Sequence, residues 1–510
     1  MNEWLWSYSG YSADEEGQRE ALCTVGNGYV ATRGALAESA ADGIHYPGTY
    51  VAGVFNRLTT RIADRDVENE SIVNAPNWLP VLFRVLGGEW FSMDHASVEN
   101  HHLELDLERA LLTRRSRLSD DVGRTLSVTE RRFISLADQH LLASETTFVP
   151  ENFSGAVEVM SVLDGTVQNT GVPRYGALDH DHLAHVDSRI VEPDLMLLEV
   201  KTNDSGIHIA QAARTKLAYN GEELHPVAEP IVEDRYAAQR YELELETGTA
   251  LTVEKTVALF TSLDHGIYSP REEAVHNARR ATGFDELLEH HATSWSHAWN
   301  RSGMTSQVMS DTPRVLNLHI FHLLTTVSKH TTELDVGVPA RGLHGEAYRG
   351  HIFWDELFIF PFLTMRVPEL TRACCATGPG GSTGREAPST PATRGDVSVA
   401  VRSDGRGDPD TSPESGVGHW LPDASQRQRY INAAVVVNIW RYWQATTDLE
   451  FMRFWGAEMV LEIARFWASI ATYDHSLDRY EIKGSWVPTS STRATPTAKS
   501  PDSTTTPTPT

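Results

Sequence analysis

The sequence predicts a multidomain β + α chain, with a large antiparallel β-sandwich first and helical hairpins of the α/α toroid kind after it. Three observations carry this. Apolar and polar residues alternate with period two from Met1 to about Ser262. Near Pro270 the period becomes helical. Towards the end, two long amphipathic segments are joined by only Thr446-Thr447-Asp448, the short link of an antiparallel helix pair. A length of 510 residues suits two or three domains, each able to bury its own core.

In the first part, His102-Leu103-Glu104-Leu105-Asp106-Leu107, Gln239 to Leu245 and Leu251 to Val257 place alternate side chains on one face. Asn-Gly, Asp-Gly and Gly-Thr pairs between such runs supply the turns. Residues 1–265 are therefore expected to form the sandwich. A helical linker over 266–312, including Arg271–His291, follows. From 313 a second, helical domain is expected to reach 484. Its first helix, Pro313–Thr326, sets Val315, Leu318, His319, His322 and Leu323 on one face, and those histidines suit core or interface positions better than metal ligation. Ile431–Ala445 and Leu449–Ala471 form the hairpin. In the latter, Phe451, Phe454, Trp455, Met459, Ile463, Phe466, Trp467 and Ile470 make a broad apolar stripe, while Glu458 and Glu462 belong to a solvated or ion-paired face.

The net charge of −25 argues against a nucleic-acid partner, since no basic patch is present to neutralise phosphates. No run of about 18 apolar residues exists to span a membrane, and the first residues carry no cationic leader with an apolar core, so a cytoplasmic protein is expected. Cys23, Cys374 and Cys375 cannot build a disulfide framework and have no metal-ligand spacing with His. They are expected as free thiols, with no metal site.

Residues 344–362 gather Glu346, Arg349, His351, Trp354 and Asp355 just ahead of an apolar helix. An indole covers the C–H face of a pyranose, while carboxylates and guanidinium groups take its hydroxyls. The plainer alternative is that Trp354 packs in a helical core and Asp355 is a surface charge near a helix start. This run resembles the one carried by the disaccharide phosphorylases and hydrolases of glycoside hydrolase family 65. Thr24 to Tyr29, Gly48 to Gly53 and Asn74-Ala75-Pro76-Asn77-Trp78 resemble that family's opening motifs, although turn chemistry alone explains them equally well.

The resemblance implies a many-stranded sandwich followed by a six-hairpin α/α toroid, here incomplete. It implies that Trp354 and Asp355 hold the glucosyl unit being transferred, with Glu346, Arg349 and His351 beside them. Trp420, Asp423 and Asn432 would face the same pocket, or serve as a loop anchor and a helix cap. The phosphorylase pattern of Trp followed directly by Glu is absent, which leaves phosphorolysis against hydrolysis open. The implied partner is a small α-glucoside disaccharide such as kojibiose, maltose or trehalose. No cofactor is implied, only inorganic phosphate as co-substrate, and a homodimer is an option for the intact family. Inverting cleavage needs an acid on the leaving oxygen and a nucleophile on the opposite face. In the phosphorylases phosphate is that nucleophile, one glutamate is the acid, and β-glucose 1-phosphate is the product; in the hydrolases a second carboxylate activates water.

Two stretches do not fit this picture. Between Cys374 and Val417 there is no Leu, Ile, Met, Phe, Tyr or Trp, too little apolar surface to offset ordering entropy. Moved one nucleotide forward, codons for Asp396 to Arg402 permit Met-Phe-Pro-Trp-Gln-Ser-Gly, a motif of the family. After Tyr480-Glu481-Ile482-Lys483-Gly484 the family continues Val-Met-Gly-Pro-Asp-Glu-Tyr, with the catalytic acid as its glutamate. Here Ser485 to Ser490 stand instead, and the shifted frame of the tail permits Val-Met-Gly-Pro-Asp-Glu-Phe. Residues 373–416 and 485–510 are therefore expected to be out of frame and without order, with Ser490 at the place of the acid and little or no activity. A Thr/Pro-rich tail of ordinary composition is the simpler alternative for the last stretch. A hydrolase and a non-catalytic carbohydrate-binding remnant remain as competing readings.

Overall fold

The structure, a computed structural model, describes residues 3–62, 64–304, 311–376, 412–413, 420–421 and 429–482. Its largest sheet pairs Leu5–Ser9, Ser97–Asp106, Leu111–Ser119, Thr125–Ile134, Leu141–Pro150, Leu251–Thr261, His208–Tyr219, Leu195–Thr202 and Leu183–Glu192, antiparallel in that spatial order. A second sheet runs Glu229–Glu233, Tyr236–Leu245, Gly155–Asp164 and Val81–Val85. A third joins Val25–Gly26, Val30–Thr32, Thr49–Ile62 and Arg65–Asn74. One short helix, α1 (Ala13–Leu22), lies among these early strands.

Period two decides which faces meet. Leu118, Leu126, Val128, Phe148, Leu251 and Val253 of the large sheet pack on Phe83, Val157, Val159 and Tyr241 of the second, forming the expected sandwich core. Further along, the large sheet is buried on both sides. Met196, Leu198, Val257 and Leu259 face the third sheet, while Leu195, Leu197, Ala258 and Phe260 face helices. That double burial explains why Leu195-Met196-Leu197-Leu198 is continuously apolar rather than alternating.

The expected helix over Arg271–His291 is two helices, α2 (Pro270–Arg280) and α3 (Phe284–Ser302). Ala281 turns out of helical geometry with ψ 135°, and Gly283 caps the second helix. The break lets both lie flat on the large sheet, burying Ala274, Val275, Ala278, Phe284, Leu287 and Leu288. Helix α4 (Thr312–Thr326) buries Asn317, Leu318, Ile320, Phe321 and Leu324. The face expected from the sequence is thereby rotated, because Val315 and His319 point outward. The inward side is chosen by Trp295 and Trp299 of α3, which meet Phe321 and its neighbours.

Helices α5 (Glu356–Arg366) and α6 (Pro368–Ala376) form one hairpin-like pair, and α7 (Tyr430–Thr446) packs against both. After Thr447, left-handed at φ 51°, Asp448 starts α8 (Leu449–Phe451) by accepting the Phe451 amide at 2.9 Å. The single helix expected over Leu449–Ala471 is interrupted by a π turn at Met452–Gly456 before α9 (Ala457–Ile470). Phe451, Ile463 and Phe466 of the expected stripe are buried, and Phe454 is exposed. The stretch expected to lack order from 373 begins in the last turn of α6. There Cys374 and Cys375 are buried against Phe360, Leu363, Ile439 and Tyr442, apolar contact that four residues of small side chains can make because α5 and α7 already surround them. All three cysteines are free and buried.

Candidate active site

The segment from His344 to Asp355 bridges the two parts of the chain. It passes against Arg65–Asn74 of the third sheet in a turn in which Tyr348, Arg349 and Gly350 are all left-handed, with φ of 58°, 58° and 74°. Gly350 is required there, since a Cβ would sit 2.7 Å from that of Ile72. The chain then enters α5, with Asp355 at its N-cap position but making no capping hydrogen bond.

This geometry divides the five expected sugar contacts into two groups. Trp354 is 38% exposed, and its indole meets Phe358 and Tyr430 edge-on at 5.5 and 6.2 Å. Tyr348, half exposed, stands on Phe353 and under the Arg341 guanidinium. Asp355 lies close enough to Tyr430 to help raise its phenol; burial is the larger cause, and together they push it up to about 12. The indole is thus neither sealed in a core nor isolated. It belongs to an open aromatic surface with a carboxylate at its edge.

Glu346, Arg349 and His351 are turned the other way and are buried against the β-domain. The Glu346 carboxyl group pairs with the Tyr46 hydroxyl at 2.5 Å and accepts the Tyr50 hydroxyl at 2.9 Å and the Gly171 amide at 2.9 Å. Burial raises its pKa above the usual glutamate value, with those three bonds working against the rise. Arg349 lies over the Tyr175 ring at 5.3 Å, and His351 faces Phe55 at 6.0 Å.

Asn432 is buried in the first turn of α7, three residues past the cap position, which Arg429 holds. Trp420 falls in a two-residue strand, Trp420–Leu421, paired with Ser412–Pro413. Asp423 and Ser490 lie outside the described residues, as do 377–411 and 483–510. The early motifs carry loop hydrogen bonds. Asn27 accepts the Tyr29 and Val30 amides, Asn74 accepts that of Thr49, and Trp78 donates to Thr32.

Several neighbours went unread in the sequence. Tyr430 and Phe358 complete the aromatic surface, and only the four-residue spacing of Trp354 and Phe358 hinted at it. Glu356, beside Asp355, is buried with its pKa raised to about 8, chiefly by desolvation, and accepts the Val338 amide at 3.0 Å. No group of three or more His, Cys, Asp or Glu that could hold a metal is found among the described residues.

Residues 6–298 match the description "Glycosyl hydrolase family 65, N-terminal domain", and residues 317–490 match "Glycosyl hydrolase family 65 central catalytic domain". The chain belongs to glycosyl hydrolase family 65. The N-terminal match takes in α2 and most of α3, the helices on the large sheet. An uncharacterized glycosyl hydrolase of Mycobacterium tuberculosis is 39% identical over 494 residues, 94% of this chain and 36% of that one. The trehalose 6-phosphate phosphorylase of Lactococcus lactis subsp. lactis is 31% identical, covering 86% of this chain and 56% of its own length. A kojibiose phosphorylase of Caldanaerobacter subterraneus subsp. tengcongensis is 30% identical over 94% of this chain and 62% of its own. The solved structure named "Putative kojibiose phosphorylase from human microbiome" superposes with a TM-score of 0.77 at 18% identity, covering 96% of this chain and 62% of that chain. The family 65 chain thus has the β-sandwich and helical-domain fold, and spans 36% to 62% of the length of these relatives. No helix among the described residues is long and apolar enough to cross a membrane.

Proposed function

We propose that this chain carries the glucosyl-binding part of an inverting α-glucoside phosphorylase, an enzyme that takes a disaccharide and phosphate to β-glucose 1-phosphate and a free sugar. The half-open Trp354, edged by Asp355 and Tyr430, is the observation that carries the reading. A pyranose would lay its C–H face on the indole while the Asp355 carboxylate accepts its hydroxyls. Arg349, His351 and Glu346 shape the wall beneath, and Trp420, Asp423 and Asn432 extend the site. The phosphorylase relatives favour phosphate over water as the attacking group. Inorganic phosphate is then the only co-substrate, and a cytoplasmic location suits both it and three buried free thiols.

The same proposal holds the chain itself to be inactive, because the residue coded at the place of the general acid is Ser490. Loss of general acid catalysis costs about 10²–10⁴-fold in rate. Residues 373–416 and 485–510 are, on this reading, translated out of frame. The coding DNA tests that: third bases that cannot spell Val-Met-Gly-Pro-Asp-Glu-Phe in the shifted frame would end it.

Binding is tested by calorimetry of the chain with maltose, kojibiose and trehalose. Heat that disappears in Trp354→Ala supports the reading, and no heat with any of them removes it. In a frame-restored chain, release of glucose 1-phosphate that requires phosphate supports phosphorolysis. Glucose released without phosphate would assign the hydrolase instead.

A further inference from the structure

The turn that aims Trp354 outward is held from the other domain. Two non-glycine residues, Tyr348 and Arg349, sit at φ 58°, a strained left-handed region that persists only where surroundings fix it. On the β-domain side those surroundings are Tyr46, Tyr50, Phe55, Ile72, Gly171 and Tyr175, while Phe353 and Arg341 meet the Tyr348 ring from the helical side.

Tyr46 is the centre of this arrangement. Its hydroxyl lies 2.8 Å from the Gln168 carbonyl and 2.5 Å from Glu346 Oε1, and it accepts the Thr170 amide at 3.0 Å. One phenolic hydrogen cannot serve two acceptors. A proton retained on Glu346 resolves the conflict, since the carboxyl then donates to Tyr46 and Tyr46 donates to Gln168. Burial of Glu346 works in the same direction.

We infer that Tyr46 and Tyr50 are positioning residues of the sugar site: by clasping Glu346 from the β-domain they lock the left-handed turn at 348–350 and so set the direction in which Trp354 and Asp355 reach the open face. The β-domain then contributes to glucoside binding without touching the sugar. This rests on the reading of Trp354 and Asp355 as the glucosyl contact.

The experiment uses the full chain and two readouts. In Tyr46→Phe/Tyr50→Phe, hydrogen exchange followed by mass spectrometry should quicken about 10-fold or more at the amides of 348–352, the effect of losing the two buried hydrogen bonds to Glu346. Exchange in α2 and α3 should not change. Affinity for the best-bound glucoside should fall about 10-fold in parallel. Glu346→Gln, which supplies the donor without a charge, should keep the parent's exchange at 348–352. Should the double variant fail to fold, Tyr50→Phe alone serves, since it leaves the bonds of Tyr46 to Gln168 and Thr170. Unchanged exchange at 348–352 overturns the clasp, and faster exchange with unchanged affinity overturns its role in binding. A parent chain that binds no glucoside fails the sugar reading by itself, and exchange at 348–352 then judges the clasp alone.

Discussion

Glu356 can be removed as a titrating group almost without changing shape, and the consequence is calculable. Its side chain is 8% exposed, and burial, then the neighbouring charge of Asp355, take its pKa from 4.5 to about 8. In the unfolded chain the carboxyl ionises near 4.5. Between those values the folded protein holds a proton that the unfolded chain has released, so stability falls as pH rises, by about 1.4 kcal/mol per unit. The penalty is absent below about pH 4.5 and complete by about pH 8; from pH 5 to pH 8 it amounts to roughly 3–4 kcal/mol. Glu356→Gln keeps an acceptor for the Val338 amide and never ionises. Urea unfolding of both chains at pH 5, 6.5 and 8 should give nearly equal stabilities at pH 5, and a variant more stable by roughly 3–4 kcal/mol at pH 8. Most other titrating groups cancel in the difference. Profiles that stay parallel to within about 1 kcal/mol would refute the argument, because a carboxyl reached by water has no such penalty.

Lys255, fully buried with its amine on the Val162 and Pro80 carbonyls, has its pKa driven well below the ordinary lysine value by burial. The unfolded chain then binds a proton the folded one does not, so stability should climb with pH up to about 10, at most about 1.4 kcal/mol per unit. Lys255→Met should flatten that climb in melts at pH 7 and 9.5. Gly28→Ala should cost about 2–4 kcal/mol in denaturant unfolding, since φ is +90° and the new Cβ would lie 2.5 Å from Ser328 Oγ. Asp448→Ala removes the acceptor of the Phe451 amide, the Tyr442 hydroxyl and the Arg372 guanidinium, and should cost about 1–2 kcal/mol by the same measurement. A thiol reagent at pH 8 should modify Cys23, Cys374 and Cys375 only after unfolding, because burial raises all three pKa values, that of Cys23 to about 12.

Local pattern determined a good deal here. Side chains on a strand alternate by covalent geometry, so runs such as 102–107 and 251–257 declared a sheet with one buried face. A link of three residues between apolar helices, Thr446-Thr447-Asp448, leaves little choice but an antiparallel pair. The run 344–362 pointed to sugar because its residue types are those a pyranose needs. Which of them turn outward was not readable. Glu346 and Trp354 are eight positions apart, yet one is gripped by tyrosines some three hundred residues upstream and the other looks outward. Likewise, the inward side of α4 depended on Trp295 and Trp299, and the break at Ala281–Gly283 on the large sheet beneath α2 and α3. Period and propensity act over a few residues. Orientation, burial and the protonation they impose are set by whatever the chain brings against a segment from far away, and only the tertiary structure decides that.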